Sequence, residues 1–185
     1  MQIYNRFDHN QHFTINISSE ILRKPSSLTS QNMTPEEFAA YISQLSAEAE
    51  AVIKNIRMDI GKMAVDHFTE NFQVEGFVNS TTEPWKDVKR RTDPRVRGAR
   101  STRKILTGDT GNLGRSITYK VGPGENQVTI FSDIPYASAH NEGTSTAGRG
   151  RHTTIPKRQF IGRSQKLDEK IQKEIEDGLR EILNG

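Results

Sequence analysis

The sequence predicts an α+β fold: a small antiparallel β-sheet packed with a long N-terminal helix and a C-terminal helix. Three observations carry this. Apolar residues recur at spacings of three and four from Phe38 to Phe72, two alternating runs flank a glycine-rich turn between Ile117 and Phe131, and a second helical period runs from Gly162 to Leu183. At 185 residues the chain is long enough for one sizeable core and needs no second domain. Apolar residues make up only 32% of it and mean hydropathy is −0.72, so part of the chain is expected in an arm or in subunit contacts.

Residues 1–33 are rich in Asn, Gln, Ser and Thr and read as a polar arm or a disordered terminus, with one alternating patch at Phe13, Ile15 and Ile17 that suits a short strand. The single domain is expected over 34–185. Thr34 as N-cap, Pro35 at the first helical position and Glu37 completing a capping box start the long helix. Unbroken from 35 to 72, it would measure about 57 Å. A compact chain of this size is roughly 40 Å across, so the helix either bends, with Gly61 the natural place, or protrudes to meet another subunit. From Gln73 to Lys104 the periodicity stops. Glu83-Pro84-Trp85 and Asp93-Pro94-Arg95 are turn signals, and the stretch reads as a long surface loop anchored by Trp85.

The segment from Ile105 to Ser164 is the most informative. Gly108, Gly111 and Gly114 punctuate Ile105 to Ile117, where a short helix capped by Thr107 or Asp109 would turn Leu113 and Ile117 inward. A hairpin follows, with Ile117, Tyr119 and Val121 on one strand, Val128, Ile130 and Phe131 on the other, and the turn Gly122-Pro123-Gly124-Glu125-Asn126 between them. Pro135 to Asn141 reads as a short helix or turn ended by Gly143, and Thr144 to Thr154 as a flexible loop carrying Arg149, Arg151 and His152. The C-terminal helix packs through Leu167, Ile171, Ile175, Leu179, Ile182 and Leu183.

Three blocks in this segment, Thr110 to Ile117, Tyr136 to Gly143 and Ile155 to Gly162, resemble the virion morphogenesis, or tail-completion, family of tailed bacteriophages and Mu-like prophages. That family shows Ile-Leu followed by Thr-Gly-x-Leu-x-x-Ser-Ile, then Tyr-Ala-x-x-His-x-x-Gly, then Ile-Pro-x-Arg-x-Phe-(Ile/Leu)-Gly leading into a terminal helix. Gly111, Leu113, Ser116, Tyr136, His140, Gly143, Pro156 and Phe160 fall on its motif positions, and Trp85 before a basic segment also fits. Three blocks in order say more than one, and they cover roughly the last 100 residues. The arm is longer than the family pattern, and Gln159 and Ile161 fill variable positions. The resemblance implies a structural role in tail completion or head-tail joining, as a homo-oligomer or ring that meets neighbouring phage tail or head proteins. It carries no catalytic residue over to Tyr136 or His140, which read as packing or hydrogen-bonding groups.

No enzymatic chemistry is legible. Cysteine is absent, which removes disulfides, thiolate metal sites and cysteine nucleophiles. The glycines around Gly111 lack the four-residue spacing and following Lys of a phosphate-binding loop. His9, His12, His67, His140 and His152 lack the short ligand spacings of a zinc site, and His140 with Glu142 has no visible nucleophile. No cofactor is expected. Neither a signal-peptide core nor a membrane span is visible, so the expectation is assembly in the host bacterial cytoplasm, incorporation into the virion, and no membrane partner.

Charge is uneven although the net is only +3. Lys86, Lys89, Arg90, Arg91, Arg95, Arg97, Arg100, Arg103 and Lys104 face only Asp87 and Asp93 between residues 86 and 104, whereas the first 72 residues carry nine acids against six bases. A second basic stretch holds Arg149, Arg151, Lys157, Arg158 and Arg163. These arginines are the candidate interaction residues, facing a subunit, an acidic partner or the lumen of a ring. The alternative is a nucleic-acid-binding module using 86–104 and 149–163. Aromatics are not interleaved among the arginines, so contact with passing DNA is expected to be weak and sequence-independent. An enzyme acting on cell wall or nucleic acid is a third class, and it requires Asp, Glu or His converging on a deep pocket.

Overall fold

The computed structural model describes residues 4–7, 12–16, 34–122 and 127–184. In chain order its elements are β1 (Tyr4–Phe7), β2 (Phe13–Asn16), α1 (Pro35–Val74), β3 (Gly76–Val78), β4 (Thr82–Pro84), α2 (Ala99–Thr102), α3 (Asn112–Arg115), β5 (Ile117–Val121), β6 (Gln127–Ser132), α4 (Ala137–Asn141), β7 (Thr144–Ala147), β8 (Thr153–Ile155) and α5 (Gln165–Asn184), with a 3₁₀ turn at Lys89–Arg91. This is the expected α+β architecture of a long helix, a C-terminal helix and small antiparallel sheets.

Helix α1 starts at Pro35 and runs 40 residues, about 60 Å at the rise of an α-helix. The side chains of Glu37, Phe38, Tyr41, Ile42, Leu45, Ala49 and Ile53 lie outside the described residues. Through Ala51 every described side chain of α1 is exposed. Beyond that, Ile56, Ile60, Ala64, Phe68 and Phe72 are buried at intervals of four and form the stripe on which the sheet and α5 pack. Gly61 does not interrupt the helix. A Cβ there would fall 2.2 Å from Cδ2 of Tyr119, so the glycine serves close approach of the sheet to the helix backbone.

The main sheet has the order β1-β2-β6-β5 and is antiparallel throughout. Its register pairs Phe13 with Ile130, Ile15 with Val128 and Tyr119 with Ile130, so strand alternation sends these side chains to the face that covers α1. Phe13 meets Phe68 edge to face at 5.6 Å. Two points differ from the sequence reading. Phe131 does not join Val128 and Ile130; one residue on from Ile130, it turns to the outer face, where the Lys120 ammonium lies 5.5 Å from its ring and His12 packs edge-on. The 1–33 segment also contributes two strands of the sheet, with Phe13 and Ile15 in the core, so the domain does not begin at residue 34. Ile17, His9 and the turn residues 123–126 lie outside the described residues.

The stretch 73–104, read as structureless, is short elements pinned to the core. The β3–β4 hairpin opens it, with all three residues of β3 buried. Trp85 is its anchor: the indole is buried edge-on to Phe72 at 5.5 Å and donates from Nε1 to the Gln159 carbonyl at 2.8 Å. Trp85→Phe keeps the ring contact and leaves that carbonyl unpaired. It is expected to lower stability by about 1–2 kcal/mol, read by urea unfolding followed by circular dichroism because the only tryptophan is lost.

Helix α5 packs against α1 through Leu167, Ile171 and Ile175, with Gly178 lying where a Cβ would meet Ile56 at 2.6 Å. The side chains of Leu179, Ile182 and Leu183 lie outside the described residues. The segment 144–154 is a β7–β8 hairpin, not an irregular loop, and Gly148 (φ +80°) and Arg151 (φ +52°) shape its tip.

Candidate functional site

Buried polar side chains fasten the second motif block to the third, and the third to α1. Asn141, at the end of α4, is fully buried. Its Oδ1 accepts from the backbone N–H of Phe160 (2.8 Å) and Ile161 (2.9 Å), and its Nδ2 donates to Ile161 O (3.1 Å) and to Glu142 Oε1 (2.7 Å). On the other side Asn71 of α1 donates to Phe160 O at 3.0 Å and accepts from Val78 N–H at 2.9 Å. Val78 O in turn accepts from His67 Nε2 at 3.0 Å and from Ser164 Oγ at 2.8 Å. Ser164 also caps α5 by accepting from Leu167 N–H. The third block is thus held in place by two asparagines, with Phe160 against Phe72 at 5.2 Å.

The first block is braced by hydroxyls. Ser116 Oγ donates to Leu113 O and meets Ser132 Oγ, both at 2.7 Å, which ties α3 to β6. Neither Thr107 nor Asp109 caps α3. Gly111 holds the N-cap position in the left-handed region (φ +64°), Thr107 turns its hydroxyl to Lys104 O, and Asp109 pairs with Arg103. Ile117 opens β5. Gly143 also has a left-handed φ of +76° and passes against the backbone at Lys157.

Where the blocks meet there is a pocket of about 310 Å³. Residues between Ile105 and Leu113 supply one wall, Tyr136 before α4 and His140 within it another, Arg158 and Arg90 the cationic side, and Val88 an apolar edge. Arg158, read as a surface docking residue, is instead only 7% exposed: Nε donates to Lys86 O (3.0 Å) and Nη2 to Asp87 O (3.4 Å). Burial, with the Arg90 charge adding to it, pushes its pKa down. Its backbone N–H donates to His140 O at 2.9 Å, which locks the second block to the third. His140 is half-buried with Tyr136 edge-on at 5.9 Å, and its Nδ1 is buried with no hydrogen-bond partner among the described residues. Tyr136 is exposed at the rim, whereas Pro156 is half-buried beside the pocket-lining segment.

The other arginines divide by role. Arg90 donates to the carbonyls of Arg100, Arg103 and Lys104, so it closes its own loop. Arg91 bridges Glu75 at 2.5 Å and Asp87 at 3.1 Å. Burial works to raise the Glu75 carboxyl, but the Ile105 N–H and the Arg91 guanidinium outweigh it and hold that carboxyl below the usual carboxylate range. Arg95, Arg97, Arg100, Arg149 and Arg151 are exposed and make no side-chain hydrogen bond or ion pair among the described residues. The two basic stretches therefore each contain structural arginines and outward-facing ones.

Sequence reading passed over His67, Asn71, Asn141, Ser164 and Glu75. A signal for two of them was present: His67 and Asn71 fall in the buried period of α1, where a polar residue needs a partner. Two histidines make stability pH-dependent. Burial lowers the pKa of His67 despite its bond to Val78 O, and burial and then the Arg158 charge lower that of His140. The unfolded chain takes up protons near 6.5 that the folded one refuses, so stability is full above that value and falls as pH drops below it. Urea midpoints between about pH 7.5 and 5.5 are expected to decline, and His67→Gln is expected to make the decline shallower.

Among the described residues no group of three or more His, Asp or Glu is placed to hold a metal ion, and no helix is long and apolar enough to cross a membrane. The site is thus a cationic pocket on an α+β fold, lined by residues of the three blocks together with Val88, Arg90 and the 105–108 segment. Residues 36–182 match the phage virion morphogenesis family, and the chain belongs to it. The match takes in most of α1, upstream of the motif blocks. No curated protein and no solved structure gives a match.

Proposed function

We propose that this virion assembly protein completes the tail or joins it to the head, acting without catalysis by self-association and by docking on neighbouring subunits. Family membership supports the assembly role. The observation that carries the finer reading is that the motif blocks meet at one pocket while Arg95, Arg97, Arg100, Arg149 and Arg151 are exposed without a side-chain partner among the described residues, and every described side chain of α1 through Ala51 is exposed. Charge on such faces steers register and encounter more than it adds affinity.

The test is electron microscopy of particles made by a phage lacking this protein, beside light scattering of the purified chain over a range of concentrations. Intact heads with separate tails of normal length favour joining, and tails of irregular length favour completion. Normal infectious particles sink both. A mass that stays monomeric at every concentration and in assembled particles removes self-association. The outward arginines also support a second reading, weak contact with passing DNA. Filter retention that falls steeply with salt is its expected result, and no retention at low salt ends it.

A further inference from the structure

We propose that the pocket between Arg90, His140 and Arg158 is a receptor for a carboxylate presented by an acidic segment of a neighbouring virion subunit. The lining contains two guanidinium groups and an imidazole and not one carboxylate. Neither Arg90 nor Arg158 has an acidic group within ion-pair distance among the described residues, because Asp87 directs its carboxylate to Arg91 and only its carbonyl to Arg158. A guanidinium as buried as Arg158 is costly to hold unneutralised. Its Nε and Nη2 are occupied by carbonyls, while Nη1 has no partner among the described residues. The buried Nδ1 of His140 is likewise without one. An entering carboxylate supplies negative charge beside both guanidinium groups and an acceptor for Arg158 Nη1, a charge-assisted pair.

The shape selects the source. Val88, Ile105, Leu106 and Leu113 give the pocket apolar walls, and its volume of about 310 Å³ suits an inserted side chain. A nucleic-acid backbone, by contrast, tracks along exposed cations such as Arg95, Arg97, Arg100, Arg149 and Arg151, none of which lines this pocket. Thr110 and Asn112, exposed at the rim beside Tyr136, are placed to meet the main chain that carries the acid. The choice of a carboxylate stands on the lining alone; that a virion neighbour brings it rests on the docking function proposed above.

The experiment titrates the isotope-labelled full chain with glutarate, with its neutral counterpart glutaramide and with inorganic phosphate at constant ionic strength, following backbone amide and histidine-ring resonances. Glutarate is expected to give saturable shifts at Thr107–Leu113 and at the His140 ring, and glutaramide none. Arg158→Gln is expected to weaken glutarate about tenfold, the loss of one charge-assisted pair, and Arg149→Gln to leave it unchanged. Should Arg158→Gln fail to fold, Asn112→Trp at the exposed rim obstructs the mouth without touching the core and is expected to abolish the shifts. Equal response to the two compounds, shifts confined to the 149–151 tip, or saturation by phosphate but not glutarate each overturns the proposal. Glutarate bound in the pocket while phage carrying Asn112→Trp assembles normally removes the virion neighbour as the source and leaves the docking function to other faces.

Discussion

Replacing Asn141 by alanine is expected to destabilise the protein by about 3–5 kcal/mol, a large part of what a domain of this size has to lose. The side chain is fully buried and makes four hydrogen bonds. Its removal strands the N–H groups of Phe160 and Ile161 and the Ile161 carbonyl, three backbone groups that have no strand partner to fall back on. The cost is that of unpaired buried groups rather than lost packing, so Asn141→Leu, which restores volume, is expected to be about as damaging as the alanine variant. Asn141→Asp separates the terms further. It keeps the acceptor for both N–H groups but sets an anionic oxygen against Ile161 O and Glu142. Its folded carboxyl is therefore held above the ordinary aspartate range, and its deficit relative to the parent is expected to shrink as pH falls and that carboxyl protonates. Urea unfolding of the three variants at neutral and acidic pH reads all of this. A leucine variant as stable as the parent would mean that the third block is held by Phe160 and Ile161 packing alone.

This network marks where the sequence stopped being informative. Long-period patterns were legible because burial imposes them: the α1 stripe, the alternating β5 and β6, and the α5 stripe follow from which faces must leave water. Phe131 was misassigned because two adjacent apolar residues in a strand cannot share a face, and only the register settles which one turns in. The 73–104 stretch was opaque for another reason. Its order comes from tertiary anchors, Trp85 onto Gln159 and Glu75 onto Arg91 and Ile105, and no local period announces those.

The candidate site was legible as blocks and not as a place. Tyr136, His140, Gly143 and Phe160 were marked by motif, and the structure sets the blocks around one cavity, yet the asparagine that joins the second to the third looks like any turn residue in the sequence. Arg158 illustrates the limit. As one of many arginines it reads as surface charge, whereas two carbonyl partners and 7% exposure make it an internal strut with a cationic face on the pocket. Arg90 differs from Arg95 in the same way: the carbonyls within its reach belong to residues ten to fourteen positions on, at Arg100, Arg103 and Lys104.

Gly143→Ala is expected to cost about 2–5 kcal/mol, from two terms that a control can separate. The residue sits at φ +76°, where an L side chain is strained. A Cβ there would also lie 2.7 Å from Lys157 N and 3.1 Å from both Ile155 O and Lys157 Cα, all backbone atoms that no rotamer change can move aside. Gly108 has a similar φ of +55° but nothing within 4 Å, so Gly108→Ala carries the conformational term alone, about 1–2 kcal/mol. The excess in Gly143→Ala measures how tightly α4 is pressed on the 155–158 segment. Relief of the clash has to separate those two segments, and the Arg158 N–H to His140 O bond crosses the same seam. The variant should therefore lose glutarate binding under conditions where it is still folded. Equal stability of the two variants would show that the seam yields freely and that Gly143 is required for its backbone angle alone.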